Sequence, residues 1–307
     1  MKKVISTVML FVFLFILSSD IVKDSKSGNP DSDNAAATTQ KKDSSTFTER
    51  KPLDKVNFNV SDPDNTKGLS VKKIEHAYGV AKDNQPHQIS VDSQKFFESK
   101  GYNAVTYDTS TDKLVYLTFD CGYENGYTSV VLDVLKEKNV KAAFFCTLDQ
   151  IKYEPELIAR MINEGHIVGN HSATHPSFDA LNRTQMAKEI EECDNYLREY
   201  FGYTSKYFRF PKGNYSENAL DLVGTLGFVS VFWSLSYADW DTDNQKGSDY
   251  AFEKVTQRLH PGAIILLHSV SSDNAGAIGD IIDFARENGY EFSSIDKLTL
   301  NYSKYNT

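Results

Sequence analysis

The chain carries the stretch VYLTFDCGYENGYTSVVLDVLKEKNVKAAFFCT at residues 115–147. Its first five residues are largely apolar, which is typical of a strand buried on both faces of a sheet. Residues 129–138 then place apolar side chains at helical spacing, and residues 142–147 form a second short apolar run. The pattern predicts a strand, a crossover helix and a second strand, the repeating unit of a parallel α/β sheet.

The same alternation continues toward the C-terminus, with apolar runs that predict strands and amphipathic segments that predict helices. The further predicted strands are 167–169, 207–210, 229–234, 263–268 and 290–293. The further predicted helices are 155–164, 184–201 (capped by Asn182 or Thr184), 217–226, 250–259 and 279–288. About seven strands joined mostly by helices predict an α/β protein that is either a barrel or a doubly wound sheet.

The N-terminus has the features of an export signal. Lys2 and Lys3 precede an apolar run at residues 8–17, which is shorter than the roughly 18 residues of a clear membrane span. The residues that follow make a weak cleavage site, and no Cys follows for lipid attachment. Residues 1–19 are therefore either a signal peptide or a short membrane anchor, and both alternatives place the protein outside the cytoplasm.

Composition divides the rest of the chain and limits its partners. Residues 20–65 are polar and predict a disordered linker, residues 66–112 predict an extension that packs on the main domain, and residues 113–303 form that domain. The net charge of -9 argues against binding to nucleic acid. Three cysteines are an odd number and too few for a disulfide framework.

Polar and reactive side chains stand at the ends of five predicted strands. They are Asp120 with Cys121, Asn170 with His171, Arg209, Asp239 with Trp240, and His268. In a parallel barrel the carboxyl ends of the strands meet at one mouth, where catalytic side chains gather. The sequence therefore predicts a single site at that mouth.

Each of these residues also admits a purely structural interpretation. His171 and His175, four residues apart, are suited to bind one divalent ion, but they are also what a pair of surface histidines would look like. Asp120 is either a general base or a carboxylate that caps the following loop. Arg209 needs an anion, which Asp120 or Asp239 supplies. His268 and Trp240 are either site residues or members of the core.

Taken in order, the motifs TFDCG, NHSATHP, RFPKG, ADW and LLH resemble the five motifs of the polysaccharide deacetylase family, the chitooligosaccharide deacetylase-like carbohydrate esterases. The resemblance covers about residues 115–298. It implies a distorted (β/α) barrel, a catalytic domain at residues 113–303, and a divalent-metal hydrolase that releases acetate. Zinc is the metal it favours.

The resemblance also implies a role for each matching residue. Asp120 becomes the general base, His268 the general acid, and Arg209 the residue that orients the base. Asp239 would position Arg209. His171 and His175 become metal ligands, and Pro211, Lys212 and Trp240 would contact the substrate.

Two positions depart from the family pattern. Cys121 stands where the family usually has an Asp as third metal ligand, so it either completes the metal site as a thiolate or stands aside. Lys212 stands where a Tyr is usual, which matters little because only a backbone N–H is needed there to stabilise the oxyanion.

The run YLTFDCGYENGYT, with the upstream KKIEHAYGV, resembles the delta-lactam-biosynthetic de-N-acetylases of spore-forming bacteria. This branch implies N-acetylmuramic acid of spore-cortex peptidoglycan as substrate, a partner amidase that removes the peptides, and a location at the cell wall or in the space around the forespore. The alternatives are deacetylation of N-acetylglucosamine or chitooligosaccharides, and a non-catalytic wall-binding barrel.

Overall fold

The fold is an eight-stranded parallel sheet that curls into a distorted barrel. The computed structural model describes residues 50–76, 79–110, 112–298, 300 and 302–305. The strands of the sheet are β2 (Ala104–Val105), β3 (Leu114–Cys121), β4 (Ala143–Cys146), β5 (Ile167–Asn170), β6 (Tyr207–Phe208), β8 (Val229–Val231), β9 (Ile264–His268) and β10 (Glu291–Ser293). Every pairing among them is parallel, and a parallel bridge between Leu235 and Ile265 links the chain beyond β8 to β9. The predicted α/β barrel is confirmed.

Helices cover the outside of the sheet. They are α1 (Gln88–Lys100), α2 (Thr128–Glu137), α3 (Leu148–Tyr153), α4 (Pro155–Asn163), α5 (Arg183–Phe201), α6 (Glu217–Thr225), α7 (Ser248–Thr256) and α8 (Ser272–Glu287). Asn182 caps α5 through a capping box in which the Asn182 and Gln185 side chains each accept a hydrogen bond from the other's backbone N–H. Of the two predicted caps for this helix, Asn182 is therefore the correct one.

The alternation of side chains along β3 separates the core from the site. Leu117, Phe119 and Cys121 join the apolar cluster that the sheet forms with α2 and α8. Thr118 and Asp120 point to the other face, because successive side chains of a strand lie on opposite sides of the sheet. One strand thus supplies both the packing of the outer layer and the polar groups of the barrel mouth.

Part of the segment predicted to be a linker packs on the barrel. The backbone N–H groups of Leu53, Val56 and Phe58 donate to groups on α5, and the Phe58 ring lies edge-on to Phe228. The prediction of a disordered linker is thus wrong for residues 53–58, because backbone hydrogen bonds attach them to α5 and the Phe58 ring packs on Phe228. Residues 20–49 of the predicted linker lie outside the described residues.

The extension that follows adds a two-stranded antiparallel sheet, in which β1 (Ile74–Glu75) pairs with β7 (Asn214–Tyr215). The predicted leader at residues 1–19 lies outside the described residues. Within the described part of the chain, no helix has the length and apolar character to cross a membrane.

Candidate active site

A cavity of about 730 Å³ opens at the carboxyl ends of the parallel strands. Its lining includes six of the predicted site residues: Asp120, His171, His175, Lys212, Trp240 and His268. Four others lie outside the lining: Cys121, Arg209, Pro211 and Asp239. Six of the ten predicted site residues thus line one cavity, and the other four are not part of its lining.

Arg209 is completely buried, and its guanidinium donates four hydrogen bonds. Its Nη1 donates to Asp120 Oδ1 at 2.8 Å. Its Nε and Nη2 donate to the backbone carbonyls of Val231 and Phe232, and Nη2 also donates to Thr118 Oγ1 at 2.9 Å. A buried arginine held on every side in this way fixes the orientation of the carboxylate that it contacts.

The electrostatic surroundings keep Asp120 ionised. Burial alone would raise the pKa of its carboxyl, but the Arg209 guanidinium and then the His171 and His268 rings outweigh burial and hold the pKa below its usual value. The second carboxylate oxygen, Oδ2, lies 3.5 Å from His171 Nε2. Asp120 is therefore a carboxylate at neutral pH with one oxygen directed toward the histidines.

His171 and His175 lie together beside this oxygen, with ring centroids 4.9 Å apart. The Nδ1 of His171 lies 2.9 Å from the carbonyl oxygen of Arg209, which only accepts, so this nitrogen carries the proton and Nε2 carries the lone pair. Burial lowers the pKa of His171, and burial together with His171 lowers the pKa of His175 to about 4. Both rings are thus neutral at pH 7.

A tight loop sets the two rings in place. Ser172 and His175 both have positive φ angles, of 71° and 57°. Asn170 Oδ1 accepts the Ser172 N–H, and Ser172 Oγ accepts the His175 N–H at 3.0 Å. The carboxylate of Glu189 on α5 accepts both the N–H and the hydroxyl of Thr174. These bonds stabilise a backbone conformation that non-glycine residues rarely adopt.

Cys121 is not brought to the histidines. It is fully buried on the helix-facing side of β3, where its Sγ lies 3.2 Å from Ser269 Oγ, and it is in register with Cys146 of the neighbouring strand. The two-residue period of the strand is the reason, because a side chain adjacent to Asp120 must point away from the face that Asp120 occupies.

The donor set fits a divalent metal only in part. Within the described ranges, no cluster of three or more His, Cys, Asp or Glu side chains is arranged to hold an ion. His171 and His175 do suit one, because both are neutral and a backbone carbonyl fixes the tautomer of the first. An ion held by these two imidazoles would take its remaining ligands from water and substrate.

Asp239 is paired with His268, so the expectation that Asp239 positions Arg209 is wrong. Its Oδ1 lies 2.7 Å from His268 Nδ1, and its Oδ2 accepts the His268 backbone N–H. Asn274 Nδ2 donates to Asp239 Oδ2, and Tyr237 donates its hydroxyl hydrogen to Asn274 Oδ1 at 2.6 Å. A chain of buried hydrogen bonds therefore holds the carboxylate against His268.

The Asp239 carboxylate favours a protonated His268. Burial acts to lower the pKa of this imidazole, but Asp239, by charge and by hydrogen bond, raises it above the usual value, with a further contribution from Asp120. Because Nδ1 is taken by Asp239, Nε2 is the nitrogen left for the cavity. Trp240, about half exposed, places its ring 5.8 Å from the His268 ring.

The motif at residues 209–213 forms a turn at the cavity edge. Lys212 has a φ of 58° and Gly213 a φ of 66°, and the Gly213 N–H donates to the carbonyl of Phe210. A Cβ at position 213 would lie 2.8 Å from Trp233 Cη2, so glycine is needed for this contact. Pro211 is buried within the turn, and Lys212 is presented to the cavity.

Comparison with known proteins agrees with this geometry. Residues 107–231 match the family model described as Polysaccharide deacetylase. The chain is 44% identical over 198 residues to the peptidoglycan-N-acetylmuramic acid deacetylase PdaA of Bacillus subtilis, covering 64% of this chain and 75% of the relative. The chain belongs to the polysaccharide deacetylase family. It is therefore a hydrolase that acts on amide bonds.

A solved structure of PdaA and a second relative are also similar to this chain. The structure of Bacillus subtilis PdaA, a family 4 carbohydrate esterase, superimposes with a TM-score of 0.72 at 40% identity, covering 75% of this chain and 98% of that one. A peptidoglycan-N-acetylglucosamine deacetylase of Bacillus cereus is 34% identical over 171 residues, 55% of this chain and 60% of the relative.

Several residues of this deacetylase site were given no role from the sequence. Thr118 begins the TFDCG motif, His76 lies in the upstream KKIEHAYGV run, and Asn274 and Tyr237 lie outside the short motifs. The Thr118 hydroxyl could have been suspected, because it is a polar side chain within an apolar strand. Nothing in the spacing of the other three indicates that they approach the cavity.

Proposed function

We propose that this polysaccharide deacetylase removes the acetyl group from N-acetylmuramic acid in peptidoglycan. It would use a divalent metal ion, which we propose to be zinc. The product amine would then close on the lactyl carboxyl to form the muramic delta-lactam of spore cortex. One observation carries the deacetylase chemistry. A single cavity holds a carboxylate whose pKa is lowered and an imidazole whose pKa is raised, which is the pairing that an acid–base hydrolase needs.

In the proposed reaction Asp120 is the general base and His268 the general acid. Asp120 takes a proton from the attacking water, whose oxygen adds to the acetamide carbon, and His268 gives its Nε2 proton to the departing amine. Arg209 fixes the carboxylate and Asp239 fixes the imidazole. The Lys212 backbone N–H is proposed to stabilise the oxyanion.

His171 and His175 would hold the metal. When bound there, a divalent ion supplies Lewis acidity toward the acetyl carbonyl and lowers the pKa of water. The 3.5 Å distance between Asp120 Oδ2 and His171 Nε2 supports a role for Asp120 as the base toward a water held at this site. Cys121 has no part in this proposal, because its side chain lies on the other face of the strand.

Two observations support muramic acid as the sugar. The Bacillus subtilis relative, 44% identical, is named for N-acetylmuramic acid. Lys212 lines the cavity, and its ammonium is a suitable partner for the lactyl carboxylate, a group that glucosamine lacks. N-acetylglucosamine is the second candidate, supported by the name of the Bacillus cereus relative at 34% identity.

The proposed location is outside the cytoplasm, at the cell wall or in the space around the forespore. The basic and apolar residues of the leader support export. A wall amidase is the proposed partner, because the lactyl carboxyl must be free of peptide before a lactam can form on it.

The test is acetate release from purified glycan strands with and without stem peptides, with zinc supplied or chelated. Zinc-dependent release from peptide-free muramic acid supports the proposal. Release from glucosamine instead would assign the second candidate. Absence of release with any divalent metal, while glycan still binds, would make the barrel a wall-binding module. The Asp120→Asn variant is the inactive control.

A further inference from the structure

The N-terminal extension reaches the cavity through His76. Strand β1 pairs with β7, and the His76 N–H donates to the carbonyl of Gly213 at 3.0 Å, directly beside the turn that carries Lys212. The His76 side chain is buried and belongs to the cavity lining. The extension therefore contributes to the wall of the site as well as packing on the barrel.

The hydrogen bonds of His76 fix its protonation and its tautomer. Its Nε2 lies 2.7 Å from the carbonyl oxygen of Trp233, which also accepts from the Ser90 hydroxyl. A carbonyl only accepts, so Nε2 carries the proton. Burial lowers the pKa of His76 to about 4, which keeps the ring neutral, so Nδ1 holds a lone pair. Nδ1 is buried and has no partner among the described residues.

Trp233 supplies the complementary group on the same wall. Its Nε1–H is also buried without a partner in the described part of the chain, and its ring lies perpendicular to that of His76 with centroids 4.9 Å apart. Buried polar atoms are normally paired, and an unpaired one is unfavourable. An acceptor and a donor are thus unpaired in two neighbouring rings whose residues both line the cavity.

We infer that His76 and Trp233 form a subsite that binds a sugar hydroxyl of the glycan, which donates to Nδ1 and accepts from Nε1–H. This inference rests on the proposed function and names the group that the extension recognises. A carboxylate does not suit the pair, because the Nδ1 lone pair repels it. A hydroxyl suits it, since one oxygen both donates and accepts.

The tryptophans provide a direct measurement. The chain has two tryptophans, Trp233 and Trp240, so a proton–nitrogen (¹H–¹⁵N) correlation NMR spectrum shows two indole N–H signals. The Trp240→Phe variant assigns them. The probe is a peptide-free tetrasaccharide of alternating N-acetylglucosamine and N-acetylmuramic acid, added to the Asp120→Asn protein so that no turnover occurs. We expect a saturable shift of the Trp233 signal, and an unmoved Trp233 signal at saturation overturns the subsite.

Two conservative variants test the hydrogen bonds. Trp233→Phe keeps an aromatic ring and removes the indole N–H donor, while His76→Gln keeps a donor for the Trp233 carbonyl and removes the Nδ1 acceptor. Each is expected to raise Kd for the tetrasaccharide and KM about three- to tenfold, with little change in kcat, as for one neutral hydrogen bond. Unchanged Kd and KM in both variants would overturn the subsite.

His166→Ala is the matched control. His166 is equally buried, its pKa is also lowered to about 4, and its Nε2 also lacks a hydrogen-bond partner in the described chain, but it lies outside the cavity lining. The control is expected to lose stability without a change in KM. If the wild-type protein releases no acetate from any glycan, the proposed function fails and the inference fails with it. Release with an unmoved Trp233 signal removes the subsite alone.

Discussion

The Nδ1 of His268 lies 2.7 Å from Oδ1 of Asp239, and the second oxygen of that carboxylate accepts the backbone N–H of the same histidine. One carboxylate thus fixes both the ring and the main chain of the proposed acid. Because Asp239 is itself buried, its charge acts on the imidazole with little screening by water.

This pairing predicts the alkaline limb of the pH profile. Asp239 raises the pKa of His268, so the protonated acid persists to higher pH than for a free imidazole, and activity is lost as pH rises through that pKa. In Asp239→Asn the alkaline limb should move to lower pH, with a lower kcat. The measurement is kcat for acetate release against pH. An unmoved limb would remove His268 as the acid.

Substitutions of the two partners in the Asp120–Arg209 ion pair are expected to have different effects, one on activity and the other on stability. Asp120→Asn retains an oxygen for the Arg209 guanidinium, so the fold should survive while acetate release falls by about 100-fold or more. Arg209→Met leaves a buried carboxylate unpaired and should lower the free energy of unfolding by about 3–5 kcal/mol. Urea denaturation followed by circular dichroism gives both stabilities. Normal turnover in Asp120→Asn would exclude it as the base.

Much of the barrel and of its site follows from the sequence, because both depend on short-range patterns. Apolar runs such as residues 115–119 are buried on both faces and become strands, and the side chains that end them converge wherever parallel strands share a mouth. Asp120 and His268 are found in this way without knowledge of any long-range contact.

The features that sequence reasoning missed depend on tertiary contacts. Helix α8 begins at Ser272, seven residues before its predicted start, because the Ser271 cap and a buried side make a helix of a segment rich in Ser, Asp, Asn and Gly. The pairing of Asp239 with His268 was missed for a similar reason. Motif order does not say which carboxylate meets which cation across 29 residues.

The two histidines, and not the thiol, are expected to determine metal affinity. His171→Ala and His175→Ala should each weaken zinc binding by more than the roughly 10- to 100-fold that outer-shell partners contribute. Cys121→Ser should leave it unchanged, because Sγ lies on the helix-facing side of β3 beside Ser269. Titration calorimetry of zinc binding measures this without turnover. Loss of affinity in Cys121→Ser would mean that the strand rearranges to present the thiol.

Lys212 is expected to determine the preference between the two amino sugars. Its turn, held at positive φ by the contacts of Gly213 with Trp233 and His76, keeps the side chain at the cavity edge. If the ammonium binds the lactyl carboxylate, Lys212→Gln should raise KM for peptide-free muramic acid substrates about 10- to 100-fold, as for loss of a charge-assisted hydrogen bond.

The same substitution should leave KM for N-acetylglucosamine oligomers nearly unchanged, because that sugar has no carboxylate to lose. The discriminating quantity is therefore the ratio of kcat/KM for the two substrates, measured at low salt where the charge interaction is least screened. Raising the salt concentration should lower the ratio of kcat/KM for the muramic acid substrate to kcat/KM for the glucosamine substrate in the wild-type protein but not in Lys212→Gln. Equal effects on both sugars would show that the substitution disturbs the turn, and would leave the lactyl group to be recognised elsewhere in the cavity.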